Sequence, residues 1–203
     1  MNKELIIATS NRDYEWIRNI DQSIRVSVYR KGSSKPHTLE NYLGDVPGRC
    51  VHSFFSHFYL RYDSLSDFTF TSQDFPFDHV SNYIDIINSD IDIWNSNSRM
   101  NVDNKIWFFN SFLPTLSCDI YGKPHHQPEY LPISDIWSYI FEDEVPNSFI
   151  FCPSGHFCIS KDLVLQRPKD FYKKIINILE NEPLSPWCIE RLFPYIFSGL
   201  KIK

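Results

Sequence analysis

No stretch of this 203-residue chain reaches the roughly 18 consecutive apolar residues that a membrane-spanning helix needs. The first apolar run, Leu5 to Ala8, is also too short for the core of a signal peptide. The expectation is a protein not integral to a membrane. Positive charge is not in excess either. Twenty Lys and Arg face 25 Asp and Glu, for a net charge of −5 and a pI near 5.8. Bulk binding to DNA or RNA needs a basic face, so no nucleic-acid partner is expected. A single nucleotide held by one or two local cations stays compatible.

Paired cysteines are missing as well. Cys50, Cys118, Cys152, Cys158 and Cys188 are odd in number and contain no Cys-x-x-Cys. That argues against a disulfide framework or a structural zinc site and for reduced thiols in the cytoplasm. Absent too are a Walker loop, Gly-x-Gly-x-x-Gly, Gly-x-Ser-x-Gly and His-Glu-x-x-His. Kinases, Rossmann dehydrogenases and serine hydrolases of standard type lose weight accordingly.

What is present is a core-forming composition, 42% hydrophobic and rich in aromatics at 16%. The aromatic surplus fits a ligand groove or dense packing equally well. Leu5–Thr9 reads as a buried strand and Ile24–Tyr29 as an alternating one. Val51, Phe54, Phe55, Phe58 and Tyr62 fall on one helical face. Phe68 to Thr71 reads as a strand and Val80 to about Ile87 as a helix. Asn88 to Asn104 and Ser117 to Pro132 read as irregular. Helices follow at Ile133–Phe141, Pro168–Leu179 and Trp187–Phe197, the last kinked or restarted at Pro194. Short strands stand at Phe149–Phe151 and Phe157–Ile159. This alternation predicts one α/β domain over residues 1–203, with a mainly parallel central sheet and flanking helices. Ligands of such sheets bind beyond the carboxyl ends of the strands, here Thr9–Asp13, Tyr29–Gly32 and Gln73–His79.

Several constellations bear on chemistry. Asp78-His79 closes the polar cluster that begins at Gln73. The pair suits a metal or a sugar hydroxyl, while Asp78 also suits a cap for the helix near Val80. Asp90-Ile-Asp92 matches the Asp-x-Asp of many sugar-nucleotide transferases, but 16 Asp in the chain make about one such triplet by chance. His125-His126 with Asp119 resembles a metal cluster, but adjacent His side chains seldom converge on one ion, which favours a surface loop. Arg49, after Gly48 and ahead of a helix, is placed to meet a phosphate, or is simply a surface Arg. Glu190, among Trp187, Leu192 and Phe193, suits a general base of raised pKa or an ion pair with Arg191.

Taken in order, these segments resemble a family catalogued as a domain of unknown function and regarded as glycosyltransferase-like. The resemblance is carried by Ala8-Thr-Ser-Asn11-Arg-Asp13-Tyr-Glu-Trp16, Tyr29-Arg-Lys31-Gly32, Gly48-Arg49-Cys50 and Arg61-Tyr62-Asp63-Ser-Leu65. Its most specific element is Gln73-Asp-Phe-Pro76-Phe77-Asp78-His79, similar to the family's Gln-Gly-Asn-Pro-Phe-Asp-His. Cys118-Asp119, Gly122-Lys-Pro124-His125, Arg167-Pro168 and Glu190-Arg191 also match. Departures include Cys50 for a carboxylate, Asp74 for a glycine and Arg12 for an acid.

The resemblance implies a small GT-A-like, nucleotide-binding fold and a glycosyltransferase. A nucleotide-sugar donor would bind Thr9, Asn11, Asp13, Tyr29, Lys31, Arg49 and Gln73. Asp78 and His79 would hold Mn²⁺ or Mg²⁺, hard ions that prefer oxygen ligands. Asp78 and Glu190 would serve catalysis, and His125, Trp187 and Arg191 a glycan acceptor. The competing expectations are a non-catalytic nucleotide- or carbohydrate-binding protein, which the substituted acids favour, and a metal-dependent hydrolase using Asp78, His79 and His125.

Overall fold

The computed structural model describes residues 1–10, 12–32, 40–122 and 130–198. The first strand, β1 (Lys3–Thr9), is buried from Glu4 to Thr9 on both faces. A strand of that kind belongs at the middle of a sheet covered on both sides. β2 (Arg25–Arg30) and β4 (Phe68–Gln73) flank it in parallel, and β3 (Glu40–Tyr42) pairs in parallel outside β2. Beyond β4 lie β9 (Phe157–Ser160), β6 (Ile106–Phe108) and β5 (Met100–Val102), giving the order β3-β2-β1-β4-β9-β6-β5. A separate ribbon pairs β7 (Leu116–Asp119) with β8 (Ser148–Phe151) in antiparallel fashion.

The sheet is mixed, which corrects the expectation of a mainly parallel one. The β4/β9, β9/β6 and β6/β5 pairings are antiparallel. β5 and β6 are joined through Asp103 and Asn104, both left-handed, and so tight a connection can link only antiparallel strands. β9 starts at the edge where β4 ends, so the chain enters it from the opposite direction.

Helices cover both faces. Ile6 and Ala8 of β1 point into a core shared with α1 (Arg49–Leu60), α4 (Ile133–Phe141), α6 (Lys169–Asn181) and α7 (Ser185–Ser198). Leu5 and Ile7 point into a second core. That side is closed by the 3₁₀ turn Glu15–Asn19 and by α2 (Tyr83–Asn88) and α3 (Ile91–Asn97). A short helix, α5 (Lys161–Val164), follows β9. The aromatic surplus goes largely into packing. Phe55 alone meets Phe58, Tyr172, Phe193 and Phe197 at ring separations of 5.8 to 6.2 Å. Each such ring contributes roughly 1.5–3 kcal/mol on burial.

Four local expectations change, the first at Ser117–Pro132, which is not irregular throughout because its start belongs to β7 and pairs with β8. Asn88–Asn104 is not irregular: it holds α3 and β5. Asp90 accepts the Ile93 N–H as the cap of α3, and Trp94 is fully buried beneath it. The helix expected from Val80 is instead a 3₁₀ turn, Pro76–Asp78, followed by α2. Asp78 does not cap α2, whose first flanking residue is Asn82. Finally, α7 continues through Pro194 rather than restarting there. Among the described residues no helix is long and apolar enough to cross a membrane.

Candidate functional site

From β1 the chain steps outward to β2 and β3 on one side, then crosses through α1 to β4 on the other. The strand order therefore reverses at β1. In open α/β sheets the crevice at such a reversal, beyond the carboxyl ends of the strands, is where ligands bind. A cavity of about 390 Å³ lies there. Thr9 and Ser10 from β1, Lys31 and Gly32 after β2, Gln73 and Asp74 from β4, and Arg49, Cys50 and Ser53 of α1 line it.

Each wall has a local cause. The Asp74 carboxylate accepts from the Thr9 hydroxyl at 3.2 Å and from the Ser10 and Arg12 N–H groups at 3.3 and 3.4 Å, tying the loop after β1 to the end of β4. The Lys31 ammonium donates to the carbonyls of Pro47 and Arg49 at 2.5 and 3.0 Å, which fixes it beside the start of α1. Burial lowers its pKa to about 8. Gly48 and Arg49 both have left-handed backbone, with φ of 93° and 49°. At Gly48 only glycine fits, because a Cβ would stand 2.8 Å from that of His52 and 3.0 Å from that of Leu179. Arg49 and Cys50, in the first turn of α1, a 12-residue helix with no side-chain cap at its start, line the cavity. Ser53 is fully buried, lines the cavity, and its Oγ has no hydrogen-bond partner among the described residues.

A second cavity of about 520 Å³ adjoins the first, with Arg49, Cys50 and Gln73 in both linings. Gln73 Nε2 reaches Cys50 Sγ at 3.7 Å across that shared wall. Burial, with Glu190 nearby, pushes the Cys50 thiol up to about 11, so it stays protonated at neutral pH. The second cavity is also lined by His79, Trp187, Glu190 and Arg191, and by Ser154 and Gly155 ahead of β9. Glu190 makes no hydrogen bond or ion pair among the described residues. Burial raises its pKa, and Arg191 and Arg49 only partly oppose the shift. Arg191 is buried, donates to the Trp187 carbonyl at 2.8 Å and lies over the Phe151 ring. The Arg49 guanidinium lies 5.1 Å from the centre of the Trp187 ring.

The structure thus gathers Thr9, Lys31, Arg49 and Gln73 around the first cavity and His79, Trp187, Glu190 and Arg191 around the second. It places three other candidates elsewhere. Tyr29 is buried in the core, its hydroxyl 3.0 Å from His57 Nδ1. Asp13 caps the Glu15 N–H at 2.8 Å on the surface. Asp78 is exposed, pairs with Arg12 at 3.4 Å and lines neither cavity. Asn11 and His125 lie outside the described residues. Ser53, Asp74 and Ser154-Gly155 line the cavities without having been singled out for them. Asp74 was adjacent to Gln73 in sequence; the others had no local signal.

Asp78 and His79, the two side chains expected to hold a divalent cation, have different surroundings. Asp78 is engaged with Arg12 outside the cavities, while His79 lines the second and faces the His156 ring at 5.5 Å. Among the described residues no three His, Cys, Asp or Glu are grouped to hold a metal ion. The cationic groups on the first cavity's wall are Lys31 and Arg49.

A family model described as "Protein of unknown function (DUF3431)" matches residues 5–202. No curated protein matches the chain, and no solved structure does.

Proposed function

Because the chain belongs to the DUF3431 family of proteins of unknown function, we propose its function from its own geometry: a glycosyltransferase with donor and acceptor in the two adjoining cavities. The observation that carries the reading is the shared wall. One cavity offers cations and a helix start at the sheet's reversal point, and the next holds a carboxylate with no hydrogen-bond partner among the described residues.

In this reading the diphosphate of a nucleotide-sugar lies in the first cavity. Lys31, Arg49 and the first turn of α1 stabilise its negative charge. The sugar reaches past Gln73 toward the second cavity, where a glycan hydroxyl approaches beside Trp187. Glu190 takes the proton of that hydroxyl. The oxygen forms the new bond to the anomeric carbon as the bond to the diphosphate breaks, and the diphosphate leaves with the electron pair. Placing charge stabilisers where negative charge develops, and a base where a proton is released, is what the chemistry requires. The raised pKa of Glu190 strengthens it as a proton acceptor.

A second reading, a binding protein of the same fold without turnover, is favoured by the engagement of Asp78 with Arg12. One experiment separates the two. Nucleoside diphosphates are titrated by calorimetry with and without Mn²⁺, and the corresponding sugar donors are then assayed for release of diphosphate. Binding with release supports the transferase, and binding without release under any acceptor supports the second reading. No binding of any common nucleoside diphosphate removes the transferase and the nucleotide-binding form of the second reading.

A further inference from the structure

Arg49 reaches from the start of α1 across to α7. It lines both cavities, and its guanidinium lies over the face of Trp187, which lines the second cavity alone. The residue is exposed, and no carboxylate pairs with it among the described residues. Its backbone is held in the left-handed region, uncommon outside glycine, by the tight seat of Gly48 against His52 and Leu179. The side chain leaves this left-handed backbone and lies at its tip over Trp187, close enough to Glu190 for their charges to interact.

We propose that the indole face of Trp187 is a ring-stacking subsite of the second cavity that Arg49 covers until an anionic group in the first cavity draws the guanidinium away. This inference rests on the donor-site reading above and adds a coupling between the two compartments. An exposed cation–π contact is weaker than a charge-assisted, bidentate bond from Arg to a phosphate. The guanidinium therefore exchanges one partner for the other when phosphate arrives. The vacated indole then presents a flat apolar face to the next ligand, suited to the C–H face of a pyranose ring. Filling the first cavity thus prepares the second. By linkage, a ring stacked on Trp187 favours anion binding in the same measure.

The stacked form also lowers the apparent affinity for the anion, because only the unstacked fraction is competent to bind. That gives a test with inorganic pyrophosphate as the probe. Calorimetry on the full chain compares wild type, Trp187→Ala, Trp187→Leu and Arg49→Ala. Both Trp187 variants are expected to bind pyrophosphate more tightly, by about two- to fivefold, the factor set by release of one exposed cation–π contact. Arg49→Ala is expected to bind more weakly. In wild type, pyrophosphate should change tryptophan emission, and most of that change should vanish in Trp187→Leu. Melting temperatures confirm that each variant is folded. Equal or weaker pyrophosphate affinity in both Trp187 variants overturns the coupling while leaving the donor site standing. Failure of wild type to bind pyrophosphate at all overturns the donor reading and the coupling together.

Discussion

The carboxylate of Glu4 lies 3.4 Å from His57 Nε2 at the centre of the molecule, both side chains fully out of solvent. Glu4 also accepts from Ser27 Oγ at 2.7 Å and from Arg25, and His57 Nδ1 meets the Tyr29 hydroxyl. Burial pushes the Glu4 carboxyl up, but the nearby His57 and the bonds from Arg25 and Ser27 together outweigh it and hold the pKa at about 2. A carboxyl whose folded pKa is depressed stabilises the fold above its unfolded pKa and loses that contribution as pH falls. Glu4→Gln should therefore cost about 3 kcal/mol at pH 7. The gap from wild type should close as pH falls from 4.5 toward 2. Urea midpoints at several pH values check this, and a gap that stays constant down to pH 2 contradicts it.

Glu190→Gln should lower transfer by about 10²–10⁴-fold while leaving nucleoside diphosphate affinity within a few-fold. Because no hydrogen bond is lost, the fold should not suffer. The sign of the linkage runs the other way from Glu4. A carboxyl with a raised folded pKa destabilises the protein once pH exceeds its unfolded value, so the neutral amide should slightly raise the melting temperature at pH 7. The rate should climb with pH through an inflection above the ordinary carboxylate range. A variant with lower melting temperature and lower donor affinity would instead make Glu190 a structural residue.

Lys31 sets a second pH dependence. An ammonium brought down to about 8 loses its charge well below the range of a solvated lysine. Nucleoside diphosphate binding should weaken as pH rises through 8 and beyond. Lys31→Met should remove that dependence and cost about 10–100-fold in affinity, the scale of one hydrogen bond to a charged group. Calorimetry at pH 6.5, 8 and 9.5 on both proteins, repeated with a chelator, also shows whether binding needs a divalent ion. An affinity flat with pH in the wild type would place the anion away from Lys31.

Asp90 and Asp78 should separate cleanly. Asp90→Ala removes the cap of α3 and should cost about 0.5–2 kcal/mol with no change in ligand affinity. Asp78→Asn breaks an exposed pair with Arg12 and should change stability by less than about 1 kcal/mol. Thermal melts and a nucleoside diphosphate titration read both. A large loss of ligand affinity in Asp78→Asn would restore this carboxylate to the site.

The sequence revealed elements wherever burial imposed a period. Leu5 to Thr9, the Phe54-Phe55-Phe58 face and the apolar face of α6 were legible for that reason. It concealed α3 and β5 because their polar residues bond to one another. Asn95 accepts from Trp107 Nε1 at 2.7 Å, and Asn101 and Asn104 close the turn before β6, so a stretch composed like a loop is ordered by side-chain hydrogen bonds. The direction of β9 was not legible either, since a strand's pattern records which faces are buried and not which way its neighbour runs. At the site, Lys31 and Gln73 stood out because strand ends carry ligands. Ser53 and Gly155 did not, because one lies inside a helix and the other is brought to it from a distance of a hundred residues.

The reversed entry of β9 also fixes an order in time. Every residue of the first cavity lies between Ala8 and Asp74, whereas the second draws on Leu113, the 153–155 segment and residues 186–191 of α7. During synthesis the walls of the first cavity leave the ribosome long before Glu190 exists, and domains begin to organise from the amino end. Yet Gly48, which aims α1, is seated against Leu179. The earliest wall therefore reaches its final angle only when the last helices dock, so a chain cut short ahead of α6 lacks the seat that sets the start of α1.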